Sequence, residues 1–282
     1  QGEGKGRIDG DLQGVDTMDV VVMIKQVPDT TEVRIDPETN TLVREGVESI
    51  LNPYDQFALE EGIKLARESS GKVTAISMGP PQARLAIRRC LALGADRGIL
   101  LSDRKFAGSD TWSTSYTLSQ AIRNMEDYDL ILCGQQAIDG DTGQVGPEVA
   151  KLLEIPQVTY AESITMEGGN IVLNQQLEEG SRILESKPPL LVACMPPSSW
   201  IPRIPTIPAI LETRSSEIVT WTAGDIGGDP SEFGLEGSPT QVVKTYSPPP
   251  RGEVELLRGD ARSQARKLME IMKDKGLIGG VE

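Results

Sequence analysis

Residues 134–146 read GQQAIDGDTGQVG, with Gly140, Gly143 and Gly146 spaced three apart. Glycine lets the backbone come close to a ligand. A helix starting near Val145 would turn free N–H groups and a positive dipole end towards a phosphate. The pattern is neither the Rossmann GxGxxG nor a Walker loop: no Gly-Lys-Ser/Thr follows, so ATP hydrolysis is not implied. The same spacing also suits a plain helix-entry loop in which Asp139 and Asp141 cap backbone amides. Three further segments have a similar character: Lys25-Gln26-Val27-Pro28-Asp29, Met78-Gly79-Pro80 and Ser109-Asp110-Thr111. In an open α/β sheet, ligands gather beyond the carboxyl ends of the strands, where such loops belong.

The chain contains no histidine, which excludes Ser-His-Asp and Cys-His catalysis and His-ligated zinc or haem within it. Cys90, Cys133 and Cys194 are far apart and form no CxxC pair, so zinc-ribbon and iron–sulfur ligand sets are missing and no metal is expected. Each lies in an apolar stretch, which predicts buried structural thiols. Free thiols fit a cytoplasmic location. If the protein moves electrons, a bound organic cofactor must carry them. The formal net charge is −14 with no basic run, so nucleic acid is not an expected partner. No apolar run approaches the ~20 residues of a membrane helix, and no membrane insertion is expected.

The elements that would position these loops can be read from pattern. Residues 19–27 (DVVVMIKQV) form a β-branched run typical of a buried strand. Residues 32–45 suggest a hairpin turning at Pro37. Asn52-Pro53 opens a helix, with Asn52 as N-cap and Asp55 at the positive end of the dipole. Strands are predicted over 72–77, 97–101 and 129–133, and helices from the Gly79-Pro80-Pro81 turn to Gly94, over 111–124, and from Pro147. Alternation of strand and helix predicts an α/β fold: a doubly wound, mainly parallel, Rossmann-like sheet of the adenine-nucleotide-binding kind. Residues 158–195 read instead as an antiparallel excursion, its last strand being PLLVACM. Residues 196–208 are crowded with proline, and 224–250 are rich in Gly, Pro and Ser, as in an extended C-terminal arm. The expected organisation is a disordered leader or tag over 1–17, an α/β domain over 18–223, and an arm with a charged helix over 224–282.

The run GQQAIDGDTGQVGPEVAKLL (134–153), with NPYDQFALEEGIKL (52–65), SMGPPQA (77–83) and CLALGADRGIL (90–100), resembles the electron-transfer flavoprotein beta subunit family in order and spacing from Met18 to about Ile278. The resemblance implies a heterodimer with an alpha subunit whose mobile domain carries the electron-transferring FAD. The beta subunit is active only with that partner and buries a second nucleotide. This is structural AMP in ordinary members. In electron-bifurcating members it is a second FAD that takes a hydride from NADH. Position by position, the resemblance implies nucleotide contacts at Met23, Lys25, Gln26, Asn52, Met78, Gly79, Gly140, Thr142, Gly143, Gln144 and Val145. Core packing would equally explain the two methionines, and helix capping Asn52. Tyr54 matches an aromatic next to the alpha subunit's flavin, or is a core aromatic at a helix start.

Residues 27–56, 102–115 and 237–249 look like the bifurcating branch. In the second of these, Asp110, Thr111 and Thr114 supply carboxyl and hydroxyl groups at a helix start that could hydrogen-bond a flavin or pyrophosphate. An ordinary N-cap at Asp110 is the plain alternative. Residues 196–213 resemble the loop that docks on partner dehydrogenases, with Arg203, Ile204 and Ile207 as contacts. The partner is expected to be a flavin-dependent dehydrogenase such as the acyl-CoA type, with ferredoxin as second acceptor. Ile201, Ile204, Ile207 and Ile210 recur every third position, as on one edge of an extended proline-rich turn. The usual aromatic after the arginine is Ile204 here, and the lysine-rich continuation is replaced by Glu212 to Ser216. A stand-alone nucleotide-binding regulatory module of the universal stress type is the alternative from another class. The prolines of 196–208 and the long arm argue against it.

Overall fold

The computed structural model describes residues 17–29, 34–35, 42–43, 49–125, 128–243 and 256–278. The leader, Thr17 excepted, and the Pro37 turn lie outside them. The chain divides into two compact units, Gln1–Val243 and Lys244–Glu282. In chain order the strands and helices are β1 (Val20–Met23), β2 (Gln26–Pro28), β3 (Arg34–Ile35), β4 (Leu42–Val43), β5 (Ser49–Leu51), α1 (Pro53–Ser69), β6 (Val73–Met78), α2 (Arg84–Leu93), β7 (Arg97–Leu101), α3 (Thr111–Arg123), β8 (Leu130–Gly134), α4 (Val145–Leu153), β9 (Gln157–Glu167), β10 (Asn170–Leu177), β11 (Gly180–Ser186), β12 (Leu190–Cys194), α5 (Ile207–Glu212), β13 (Val219–Trp221), α6 (Ala223–Ile226) and α7 (Ala261–Asp274).

A nine-stranded sheet runs β11-β10-β9-β12-β8-β1-β6-β7-β13. It is parallel from β9 through to β13 and antiparallel in the β9-β10-β11 meander. Strand periodicity sorts the core. Val20 and Val22 join the cluster with Leu59, Ile63 and Ile87 of α1 and α2, while Val21 and Met23 join Leu118, Ile122 and Val149 of α3 and α4. Fully buried aliphatics such as Ile131 and Leu132 contribute about 1.5–3 kcal/mol each, which makes the sheet a firm base for the loops at its ends. The chain steps from β1 outward through β6 and β7, then returns to β8 on the other side of β1. Strand order therefore reverses between β1 and β8, and it is beyond the carboxyl ends of strands at such a reversal that open α/β sheets bind their ligands. No helix among the described residues is long and apolar enough to cross a membrane.

Several sequence expectations need correction. The single strand over 19–27 breaks after Met23: β2 leaves the main sheet and pairs antiparallel with β5. The strand PLLVACM is not antiparallel, because β12 inserts parallel between β8 and β9. All its residues are buried, so it carries no alternation that could reveal its direction. Residues 224–243 are not an extended arm. Phe233 is buried with its ring 5.4 Å from that of Phe106, and Ser238 accepts a hydrogen bond from the Asp110 N–H. The first unit thus reaches Val243 rather than ending at 223. Helix α4 begins at Val145, as the glycine-rich loop implied, and takes in Pro147, read as its first residue, because proline is tolerated in a first turn whose N–H groups have no helical partner anyway. In the second unit, α7 is capped by Asp260, which accepts from the Ser263 N–H at 2.9 Å.

Candidate functional site

Three segments meet at the switch point through two side chains of the α1 start. Asp55 is buried, and its carboxylate accepts from the Lys25 N–H at 2.7 Å and the Gly134 N–H at 3.0 Å. These N–H groups belong to the chain leaving β1 and the chain leaving β8. Asn52 is fully buried: its Nδ2 donates to the Gln136 carbonyl at 2.9 Å and its Oδ1 accepts from the Ile138 N–H at 3.3 Å. Asn52 occupies the N-cap position, yet its side chain makes no cap hydrogen bond, since the loop after β8 takes it. Burial pushes the Asp55 carboxyl up from 3.8 to about 7. Hydrogen bonds from the Asn52 side chain and the Lys25 and Gly134 N–H groups, and the Lys25 charge, pull the other way. Lys25 also reaches across by its Nζ, 2.7 Å from Asp139 Oδ1, closing the loop on its outer side.

So pinned, the loop leads into α4. Gly143 has φ +64, a conformation strained for any residue with a Cβ. The N–H groups of Thr142, Gly143, Gln144 and Val145 have no protein acceptor among the described residues, and Gln144, the N-cap of α4, makes no side-chain cap. Asp139 and Asp141 do not cap these amides. Asp139 pairs with Lys25, and Asp141 accepts from Gln136 Nε2 at 2.9 Å. Successive unpaired N–H groups beside a left-handed residue form an anion-receiving concavity at the positive end of a helix. At Gly146 a Cβ would lie 2.8 Å from Cys133 Sγ, so this glycine serves close packing of α4 on the sheet.

The remaining sequence-predicted residues fall into three groups. Met23 is core, and Met78 packs against the same cluster, as their packing alternative required. The Gly79 N–H is spent on the Leu101 carbonyl at 3.0 Å. Asp110 caps α3 by accepting from the Ser113 N–H, and its second oxygen accepts from the Thr240 N–H and hydroxyl at 2.9 and 2.8 Å. Burial alone would raise its carboxyl, but the bonds from Ser113 and Thr240 outweigh that and hold it below the usual carboxylate range. The Thr111 hydroxyl donates to Glu148 Oε1 at 3.3 Å, and Ser115 donates to Glu148 Oε2 at 2.9 Å, which ties the starts of α3 and α4 side by side. Thr114 is half-buried one turn into α3, Gln26 lies in β2, and Tyr54 follows Pro53 in α1.

Residues 196–213 sit at the other end of α1's first turns. Glu60 accepts from Trp200 Nε1 at 3.1 Å and the Arg203 N–H at 2.8 Å, and Gln56 Nε2 donates to the Arg203 carbonyl at 2.8 Å. The Trp200 ring stands edge-on to Phe57 at 5.4 Å. Above this base Ile201, Ile204 and Ile207 are 83, 83 and 74% exposed. The repeat of isoleucines is not one extended edge, because Thr206 caps a short helix that takes in Ile207 and Ile210. The three cysteines are free and buried. Sequence reasoning missed Glu60, Gln56 and Glu148 and read Asp55 only as a dipole partner. The one signal for Asp55 was an acid in the first turn after Asn-Pro.

A doubly wound α/β sheet with a run of unpaired loop amides at its switch point is an arrangement shared by many nucleotide-binding proteins. Residues 39–226 match the family model described as electron transfer flavoprotein domain. The chain is 47% identical over 262 residues to the electron transfer flavoprotein subunit beta of Thermoanaerobacterium thermosaccharolyticum, covering 93% of this chain and 100% of that one. It is 44% identical over 263 residues to the caffeyl-CoA reductase-Etf complex subunit CarD of Acetobacterium woodii, with the same coverage. It is 38% identical over 268 residues to the acryloyl-CoA reductase electron transfer subunit gamma of Anaerotignum propionicum, again covering 93% and 100%. The chain belongs to the electron transfer flavoprotein family, in its beta-subunit branch. Membership sets aside the stand-alone regulatory module.

Proposed function

We propose that this chain works in the cytoplasm as the beta half of a heterodimer with an alpha subunit and holds FAD at its switch point, in the electron-bifurcating arrangement. The observation that carries the reading is the run of unpaired N–H groups at Thr142, Gly143, Gln144 and Val145. These amides fit a diphosphate. On this reading Lys25, Gln26 and Asn52 would frame its near side, and Met23 and Met78 would back it from the core. Thr111, Thr114 and Asp110 lie along the start of α3, with Tyr54 towards the alpha subunit's flavin. FAD bound here would supply hydride acceptance from NADH and onward release of single electrons, one to ferredoxin and one to the alpha subunit's FAD. This chain's residues bind and orient the cofactor and contribute no redox group of their own.

The exposed isoleucines over the Glu60 base suit docking of a partner dehydrogenase, with Arg203, Ile204 and Ile207 as contacts. Two relatives carry CoA-thioester reductases in their names, which supports an acyl-CoA type of partner. One observation favours the second reading, structural AMP. The Asp110 carboxylate and the Thr111 hydroxyl already have protein partners, and AMP does not need them. Heat extraction of the purified heterodimer decides between the two. Two FAD per heterodimer and no AMP is the expected result, and one FAD with one AMP would refute bifurcation.

A further inference from the structure

The chain leaving β1 and the chain leaving β8 come from neighbouring strands, but no backbone hydrogen bond between Lys25 and Gly134 joins them beyond the sheet. Asp55 supplies that join, because each of its oxygens accepts an N–H from one of the two chains. A Cβ at Gly134 would lie 2.6 Å from Asp55 Oδ1, so the close approach of the two chains needs a glycine there. The Lys25 carbonyl in turn accepts from the Asn52 N–H at 3.0 Å, and Asn52 holds Gln136 and Ile138. Asn52 and the Lys25–Asp139 pair hold the loop further out, and Asp55 holds it where it leaves the sheet. We propose that Asp55 is the positioning residue of the nucleotide site: accepting at both oxygens, it locks the Lys25 and Gly134 segments so that the Thr142 to Val145 amides are held in receiving order. The proposal rests on the nucleotide reading above.

Protonation would put an O–H where an N–H now donates and would release one of the two chains. The charged and titratable groups around Asp55 are Lys25 from the chain after β1, Cys133 and Cys194 from β8 and β12, and Cys90 from α2. Burial pushes all three thiols well up, so they stay neutral throughout the neutral range. Lys25 commits its Nζ to Asp139. The lock should accordingly open on acidification through about pH 7, where burial has raised the Asp55 carboxyl.

The test uses the heterodimer with its alpha partner between pH 6 and 8.5. It reads amide exchange protection of residues 134–146, corrected for intrinsic rate, and retention of the nucleotide on this chain through gel filtration. In the wild type, loop protection and retention should fall together below about pH 7. In Asp55→Asn, protection should be lower by about tenfold at pH 8.5 and no longer vary with pH, since an amide offers only one acceptor oxygen. Asp55→Glu should restore a pH dependence. Loop protection in the wild type that is flat across the range overturns the lock even if Asp55→Asn fails to fold. If protection follows pH as stated while the wild type holds no nucleotide at any pH, the lock stands and the nucleotide reading fails.

Discussion

Helix α1 serves two loops with two acids one and a half turns apart, and treats them oppositely. Asp55 is buried and holds the start of the loop after β8, accepting from the Lys25 and Gly134 N–H groups and from the Asn52 side chain. Glu60 is half-buried and holds residues 200–203 from below, leaving isoleucines pointing out. A buried carboxylate with fixed donors makes a rigid polar cradle, and its loss leaves orphaned amides. A half-exposed one anchors a surface loop at small cost and leaves the loop's apolar side for a partner. The proposed nucleotide site thus rests on the buried acid, and the proposed docking surface on the half-buried one.

The largest effect that would break this contrast is expected on the polar side. Asn52→Ala removes the bonds that the fully buried Asn52 side chain makes to the half-buried Gln136 carbonyl and Ile138 N–H, which should cost about 2 kcal/mol of stability in urea unfolding. A cost under about 0.5 kcal/mol, the range of a surface substitution, would mean the loop is not held there. Glu60→Ala should cost about 1 kcal/mol, because its bonds are partly screened by water, and should speed tryptic cleavage after Arg203. Unchanged cleavage would show that Trp200 on Phe57 is sufficient anchor. Smallest in the isolated protein is Ile207→Ala. At 74% exposure it should leave stability within about 0.5 kcal/mol, yet weaken a partner dehydrogenase by about 1–3 kcal/mol. Splitting of the heterodimer by this change would make the loop structural. Asp55 adds a pH signature. Its carboxyl sits higher folded, about 7, than its ordinary 3.8, so the stability linked to its proton is complete below about pH 4 and is lost as pH rises through about 7. Asp55→Asn should abolish that slope.

How far the sequence was legible follows the same contrast. Alternation of apolar runs and capped helices gave the parallel sheet and its helices, since burial on both faces leaves a plain mark. Direction did not survive in β12, whose uniform burial looks the same in either sense. Glycine spacing located the loop before α4 but could not separate Gly143, which needs its left-handed φ, from Gly146, which needs only to lack a Cβ. Asp110 was legible as a cap and not as a residue with both oxygens engaged, because Thr240 is remote in sequence. Glu148 and Glu60 were invisible for the same reason: an acid on a helix looks solvated until its partner arrives from another element.

Nucleotide content of a Gly143→Val heterodimer tests the switch-point assignment most directly. Valine is strained at φ +64, and a Cβ there would lie 3.3 Å from the Gln135 carbonyl, so the run of receiving amides cannot keep its order. Loss of one nucleotide per heterodimer, with the alpha subunit's FAD retained and the dimer intact, is the predicted result. Full retention of both nucleotides at wild-type affinity would contradict it.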